Sequence, residues 1–148
     1  MIPWILVALS GLKEPSEREI LRIRINRIED NDPYIRHMAL YILEQKYLTN
    51  PEELKEIFPE HELISMVRKR LDDKSAQIRG LALFVAEAGD MRELIPAVQK
   101  KLDDPDEVVR SAARNLLKRW GIEVKGVNSG GALPPSPKEK EPDKPDGK

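Results

Sequence analysis

Few residues in this chain stand where catalytic chemistry would need them. His61-Glu62-Leu63-Ile64-Ser65 begins like the helix of a zinc protease, in which two His one turn apart hold the metal and the Glu activates water, but Ser65 takes the place of the second His. His37 is the sole other histidine and there is no cysteine, so a metal site lacks ligands. The glycines between Gly126 and Gly131 lead into prolines and not into a helix, so no helix dipole backs a phosphate cradle. No Ser sits in a Gly-x-Ser-x-Gly elbow. Carboxylates abound, yet they fall in turns and on outer helix faces, where they cap and solvate. The residues imply no enzyme, no metal and no cofactor. What does recur at fixed spacing is an Asp followed six residues later by an Arg: Asp30 and Arg36, Asp73 and Arg79, Asp104 and Arg110.

Those pairs belong to a longer repeated stretch. Leu71-Asp72-Asp73-Lys74-Ser75-Ala76-Gln77-Ile78-Arg79 returns as Leu102-Asp103-Asp104-Pro105-Asp106-Glu107-Val108-Val109-Arg110, and in degraded form as Ile28 to Arg36. Three residues after each Arg stands an Ala (Ala39, Ala82, Ala113), and further on come the apolar pairs Ile42-Leu43, Val85-Ala86 and Leu116-Leu117. Before each anchor lie Ile20-Leu21, Leu63-Ile64 and Leu94-Ile95. Each unit reads as two amphipathic helices with apolar residues at helical spacing. The acidic turn between them offers Asp, Ser or Pro for a helix start. A self-similar two-helix period means a solenoid.

The run Gly89-Asp90, Leu94-Ile95-Pro96-Ala97, Leu102-Asp103-Asp104-Pro105 and Val109-Arg110-Ser111-Ala112-Ala113 resembles the HEAT repeat in its bacterial and archaeal HEAT-like form. The likeness spans about residues 16 to 120 and is strongest in the last unit. It implies an all-α chain, a right-handed α-solenoid of about three HEAT-like helix pairs behind an N-terminal capping helix. It also implies that Asp30, Arg36, Asp73, Arg79, Asp104 and Arg110 form a hydrogen-bonded ladder between neighbouring repeats, with Arg79 joined in both directions. Those residues are then structural. HEAT-like folds include DNA-repair glycosylases and bilin lyases, but this chain is short for either and lacks a basic, aromatic-lined groove.

Composition agrees. A chain of 148 residues suits one domain. A net charge of -1 gives no bulk pull toward nucleic acid or anionic membrane, and nucleic acid is not an expected partner. The absence of cysteine excludes disulfides and is compatible with a reducing cytoplasm, the expected location. Aromatic residues make up only 5%, so stability must come from Ile, Leu, Val and Ala packed between helices.

Along the chain, residues 1–125 read as the helical repeat domain and 126–148 as a disordered Pro-, Lys- and Glu-rich tail. The uncharged run from Met1 to Leu12 is too short to span a bilayer, which takes ~20 residues. It is expected to be a lone helix covering the end of the stack. The alternative is a membrane-surface anchor, and the same run offers a surface for self-association. Ser16 and Glu19 form a capping box. Leu21-Arg22-Ile23-Arg24-Ile25-Asn26 alternates like a strand, and only the repeat register makes residues 16–29 a helix, with Arg18, Arg22 and Arg27 facing outward. Further helices are expected over 33–48, 51–58, 60–72, 75–88, 91–103 and 106–120, the fifth of the six kinked at Pro96 and the last ended by Gly121. Arg-to-Arg spacing of 43 and then 31 residues marks an insertion over about 49–60.

With no chemistry in view, the expected function is a protein–protein interaction scaffold or adaptor. In the resemblance, the second helix of each repeat lines the concave face. His37, Leu40, Tyr41, Leu83, Phe84, Arg114 and Asn115 then form an apolar, partly aromatic strip grading into a basic end, suited to a peptide or helix. Leu40 and Leu83 have a second reading, as packing between helices. The outer residues of the last helix, Arg114, Asn115, Lys118 and Arg119, are polar, as the end of a stack facing water must be.

Overall fold

A computed structural model describes residues 14–124 and contains, among them, seven α-helices and no strand. The helices are α1 (Glu17–Asn26), α2 (Pro33–Thr49), α3 (Pro51–Ile57), α4 (Glu60–Arg70), α5 (Ala76–Ala88), α6 (Ile95–Lys100) and α7 (Glu107–Arg119). Short 3-10 segments cover Arg27–Glu29, Arg92–Leu94 and Lys101–Asp103. The expected capping helix in 1–12 and the expected tail lie outside the described residues.

Local chemistry explains most helix boundaries. Ser16 accepts from the Glu19 N–H while Glu19 reaches back to the Ser16 N–H, closing the capping box of α1. Asp32, Ser75 and Asp106 cap α2, α5 and α7 by accepting from the backbone N–H of Tyr34, Ile78 and Val109. At the far end of α7 the chain turns at Gly121 with φ +75, a left-handed conformation that glycine adopts without penalty.

The alternating stretch in α1 is helical, as the repeat register requires. Leu21, Ile25 and Ile28 are buried one turn apart, while Ile23 is exposed. The alternation arose because Ile23 sits on the solvent side with Arg18, Arg22 and Arg27. The expected long helix over 91–103 is instead a 3-10 turn, a short α-helix and a second 3-10 turn. Pro96 lies in the first turn of α6, where its missing N–H costs nothing, so it starts a helix and does not kink one. The insertion forms α3 and enters the core through Leu54, Ile57 and Phe58. Arg22 ties it down by donating to the Ile57 carbonyl at 2.9 Å and lying over the Phe58 ring.

Packing follows the sequence order. α1 packs on α2, α4 on α5 and α6 on α7, while α2 packs on α5 and α5 on α7. With a neighbour on each side, α5 buries six residues (Ile78, Gly80, Ala82, Leu83, Val85 and Ala86), whereas α2 buries three. The recurring Ala39, Ala82 and Ala113 are all buried, and their small side chains let helices approach closely. The apolar side chains form one continuous core from Leu21 to Trp120.

Candidate functional site

The recurring Asp and Arg build the same local structure three times. In each turn the Asp carboxylate accepts from the N–H two residues on: Asp30 from Asp32, Asp73 from Ser75 and Asp104 from Asp106, at 2.9, 3.0 and 2.9 Å. The Arg six residues later donates its Nη1 back to that Asp's carbonyl, at 2.9 Å for Arg36, 2.9 Å for Arg79 and 2.7 Å for Arg110. The remaining guanidinium edge reaches forward to the next turn. Arg36 grips Asp73 at 2.8 and 3.0 Å, and Arg79 grips Asp104 at 2.9 and 2.9 Å, both bidentate.

The linkage therefore runs one way. Arg79 meets the carboxylate of Asp104 but only the main-chain carbonyl of Asp73, whose carboxylate is held by Arg36 and by Arg70 at 3.2 Å. Among the described residues the Asp30 carboxylate has no Arg partner and Arg110 makes no forward link to a carboxylate. Burial raises the pKa of Asp73, but hydrogen bonds from Arg36 and the Ser75 N–H and the nearby cations outweigh it, so the carboxyl stays below its usual range. Asp104 is lowered in the same way against its own burial, by Arg79 and the Asp106 N–H. Hydrogen bonds to Asp73 and Asp104 raise Arg36 and Arg79 in turn. Carboxylates locked by guanidinium groups and only 3% exposed are poor proton acceptors at neutral pH and well suited to clamping turns together.

The other candidate residues lie on the second helices. Tyr41 and Phe84 are 45% and 50% exposed, as a binding surface requires. Leu40 and Leu83 are not exposed parts of that surface: at 0% and 2% exposure they belong to the core, Leu83 reaching only the wall of a hollow between α5 and α7. One residue along a helix is a rotation of about 100°, which carries these two from the solvent face to the packed face. Arg114 occupies the equivalent place on α7, half-buried, and among the described residues its Nε has no hydrogen-bond partner. It is not the exposed basic end expected of the strip.

Two hollows lie on this face. One, of about 490 Å³, is lined by His37 from α2, by Ala76, Gly80 and Phe84 from α5, and by Asp106 and Val108 at the start of α7. Its floor exists because Gly80 has no side chain; a Cβ placed there would meet nothing within 4 Å. The second hollow, of about 330 Å³, runs between α5 and α7, with Leu83 and Phe84 on one side and Val108, Asn115 and Arg119 on the other. Phe84 and Val108 line both and separate them. Tyr34, Met38 and Tyr41 continue the exposed apolar surface along α2.

Tyr34, Met38, Gly80 and Val108 were missed by sequence reasoning. The available signal was helical spacing: Tyr34 and Met38 lie seven and three residues before Tyr41, and Gly80 lies four before Phe84. The charge of the lining was also missed. It carries Asp106, Glu107 and Glu87 against one cation, Arg119, which pairs with Glu87. Among the described residues no group of three or more His, Asp and Glu side chains is placed to hold a metal ion, and no helix is long and apolar enough to cross a membrane.

Comparison with protein families, with characterised proteins and with solved structures finds no match for this chain.

Proposed function

We propose that the chain is a non-catalytic interaction scaffold, built as a short HEAT-like α-solenoid, that holds a peptide or helix of a partner protein on the face formed by α2, α5 and α7. One observation carries this reading: Tyr34, Met38, Tyr41, Phe84 and Val108 are all exposed on that face, around two hollows. An exposed apolar patch of this kind keeps its hydration cost until a partner covers it. The repeated Asp–Arg clamp supports the solenoid part, because Arg36 and Arg79 each join the next turn in the same bidentate geometry. The clamp itself is then scaffold.

Site-specific photocrosslinking tests the reading. A photoreactive amino acid at Phe84 is compared in the native host with one at Glu62, an exposed position on α4. The expected result is a discrete protein adduct from position 84 that is missing from position 62 and disappears when Tyr41 is also replaced by Glu. The same set of adducts from both positions would refute it.

A further inference from the structure

This inference rests on the reading that the α2–α5–α7 face is a docking surface, and names the partner's chemistry. The hollows are lined mainly by apolar residues, but among the charged residues at their rims carboxylates outnumber cations three to one. Asp106 borders the first, and Glu107 and Glu87 border the second. The one cation among the lining residues, Arg119, is neutralised by Glu87. A partner that seats apolar side chains in both hollows therefore brings its flanking residues against Asp106 and Glu107.

A second observation lies on α2. Glu87 of α5 pairs with Arg119 of the neighbouring helix α7. The residue in the same register on α2 is Glu44, and the residue in the register of Arg119 on α5 is Ala88. The inter-helix pair that closes the α5–α7 step is thus missing from the α2–α5 step. Glu44 is half-buried one turn beyond Tyr41, burial pushes its pKa upward, and among the described residues it forms no salt bridge. A carboxylate held this way at the edge of an aromatic surface gains from a cation delivered by a ligand.

We propose that the occupant of this face is a cationic amphipathic helix of another protein, with apolar side chains seated on either side of Phe84 and Lys or Arg residues meeting Asp106 and Glu107 at one edge and Glu44 at the other. Phe84 and Val108 form the ridge between the hollows, so the partner's apolar residues recur at helical spacing across it. Negatively charged helices are rejected by the same rim, which makes the rim a source of specificity.

The test uses the full chain and two fluorescein-labelled synthetic peptides of about 16 residues, enough for an amphipathic helix of about four turns. Both carry the same Leu face; one has Lys and the other Glu on its flanks. Fluorescence anisotropy is expected to show the Lys peptide binding at least about tenfold more tightly, with the advantage shrinking at high salt. Gly80→Leu fills the first hollow from a position with open space around it, and is expected to weaken the Lys peptide by about tenfold while the thermal melt is unchanged or raised. Glu107→Lys combined with Glu44→Lys should reverse the preference between the peptides. Equal binding of the two peptides, or binding of the Lys peptide that ignores both sets of substitutions, overturns the proposal. If the Glu peptide binds and Gly80→Leu displaces it, the docking surface stands and the cationic partner falls. If neither peptide binds, the cationic helix falls, and the photocrosslink from position 84 decides whether the docking surface falls with it. A dimer in sedimentation that dissociates on Phe84→Ala would assign the face to a second copy of the chain and also overturn the proposal.

Discussion

Removing Arg79 should cost more than removing either of the other two recurring arginines, and the reason is what each leaves behind. Arg79 holds both oxygens of Asp104 at 2.9 Å and covers the carbonyls of Asp73 and Lys74 at 2.9 and 3.2 Å. After Arg79→Ala, Asp104 keeps only the Asp106 N–H at 2.9 Å and the Lys101 ammonium at 4.0 Å, with its side chain 3% exposed. Removing one partner of a buried pair typically costs about 3–5 kcal/mol. Arg79 itself is 12% exposed, so water reaches the site once the side chain is gone, and the expected loss is about 2–4 kcal/mol. Arg36→Ala leaves Asp73 with Arg70 at 3.2 Å and the Ser75 N–H at 3.0 Å, so about 1–3 kcal/mol is expected. Arg110→Ala gives up one bond to the Asp104 carbonyl, worth about 0.5–1.5 kcal/mol. Urea denaturation followed by circular dichroism gives the three values, provided the slopes agree among variants. Asp104→Ala combined with Arg79→Ala should show a coupling of about 1–3 kcal/mol. Losses for Arg79→Ala and Arg110→Ala within about 0.5 kcal/mol of each other, or additive effects in the double mutant, would refute a one-way linkage through buried carboxylates.

Two further outcomes follow from the same geometry. Asp73 and Asp104 have lowered pKa values in the folded chain, so the stability they contribute is present above the unfolded-state value of about 4 and is lost as pH falls through the folded-state values. The urea midpoint should therefore drop steeply on acidification below about pH 4, and Asp104→Asn, less stable at neutral pH, should show a shallower drop; equal slopes would contradict this. Glycine-to-alanine changes should have opposite signs at two positions. Gly121→Ala forces a side chain into φ +75 and should cost about 1 kcal/mol, whereas Gly80→Ala places its Cβ in open space inside α5 and should be neutral or stabilising by up to about 1 kcal/mol, both read from thermal melts.

Much of the helical framework was legible in the sequence because it is set by short-range chemistry. Asp32, Ser75 and Asp106 cap the helices they precede, Gly121 ends the last, and the six-residue Asp-to-Arg spacing closes each turn on its own carbonyl. These interactions join residues a few positions apart, so spacing alone reveals them. The repeat also settled a case where local pattern pointed the wrong way, since Leu21 to Asn26 alternates like a strand and folds as helix.

Tertiary structure decided whatever depended on what lies beside each helix. The apolar stripe of a packed helix is more than 100° wide, and its edges are set by the neighbours it meets. Leu40 and Leu83 are therefore core while Tyr41 and Phe84, one residue further on, are surface. Sequence could not tell which Asp each Arg would grip, because Asp73 lies within reach of Arg36, Arg70 and Arg79 and only packing assigns its carboxylate to the first two. Pro96 starts a helix because a 3-10 turn precedes it, and α3 joins the core because Leu54, Ile57 and Phe58 find space there. The hollow over Gly80 and its acidic rim arise from α2, α5 and α7 side by side: residues from His37 to Val108, separate in sequence, share one surface only because the helices pack in that order.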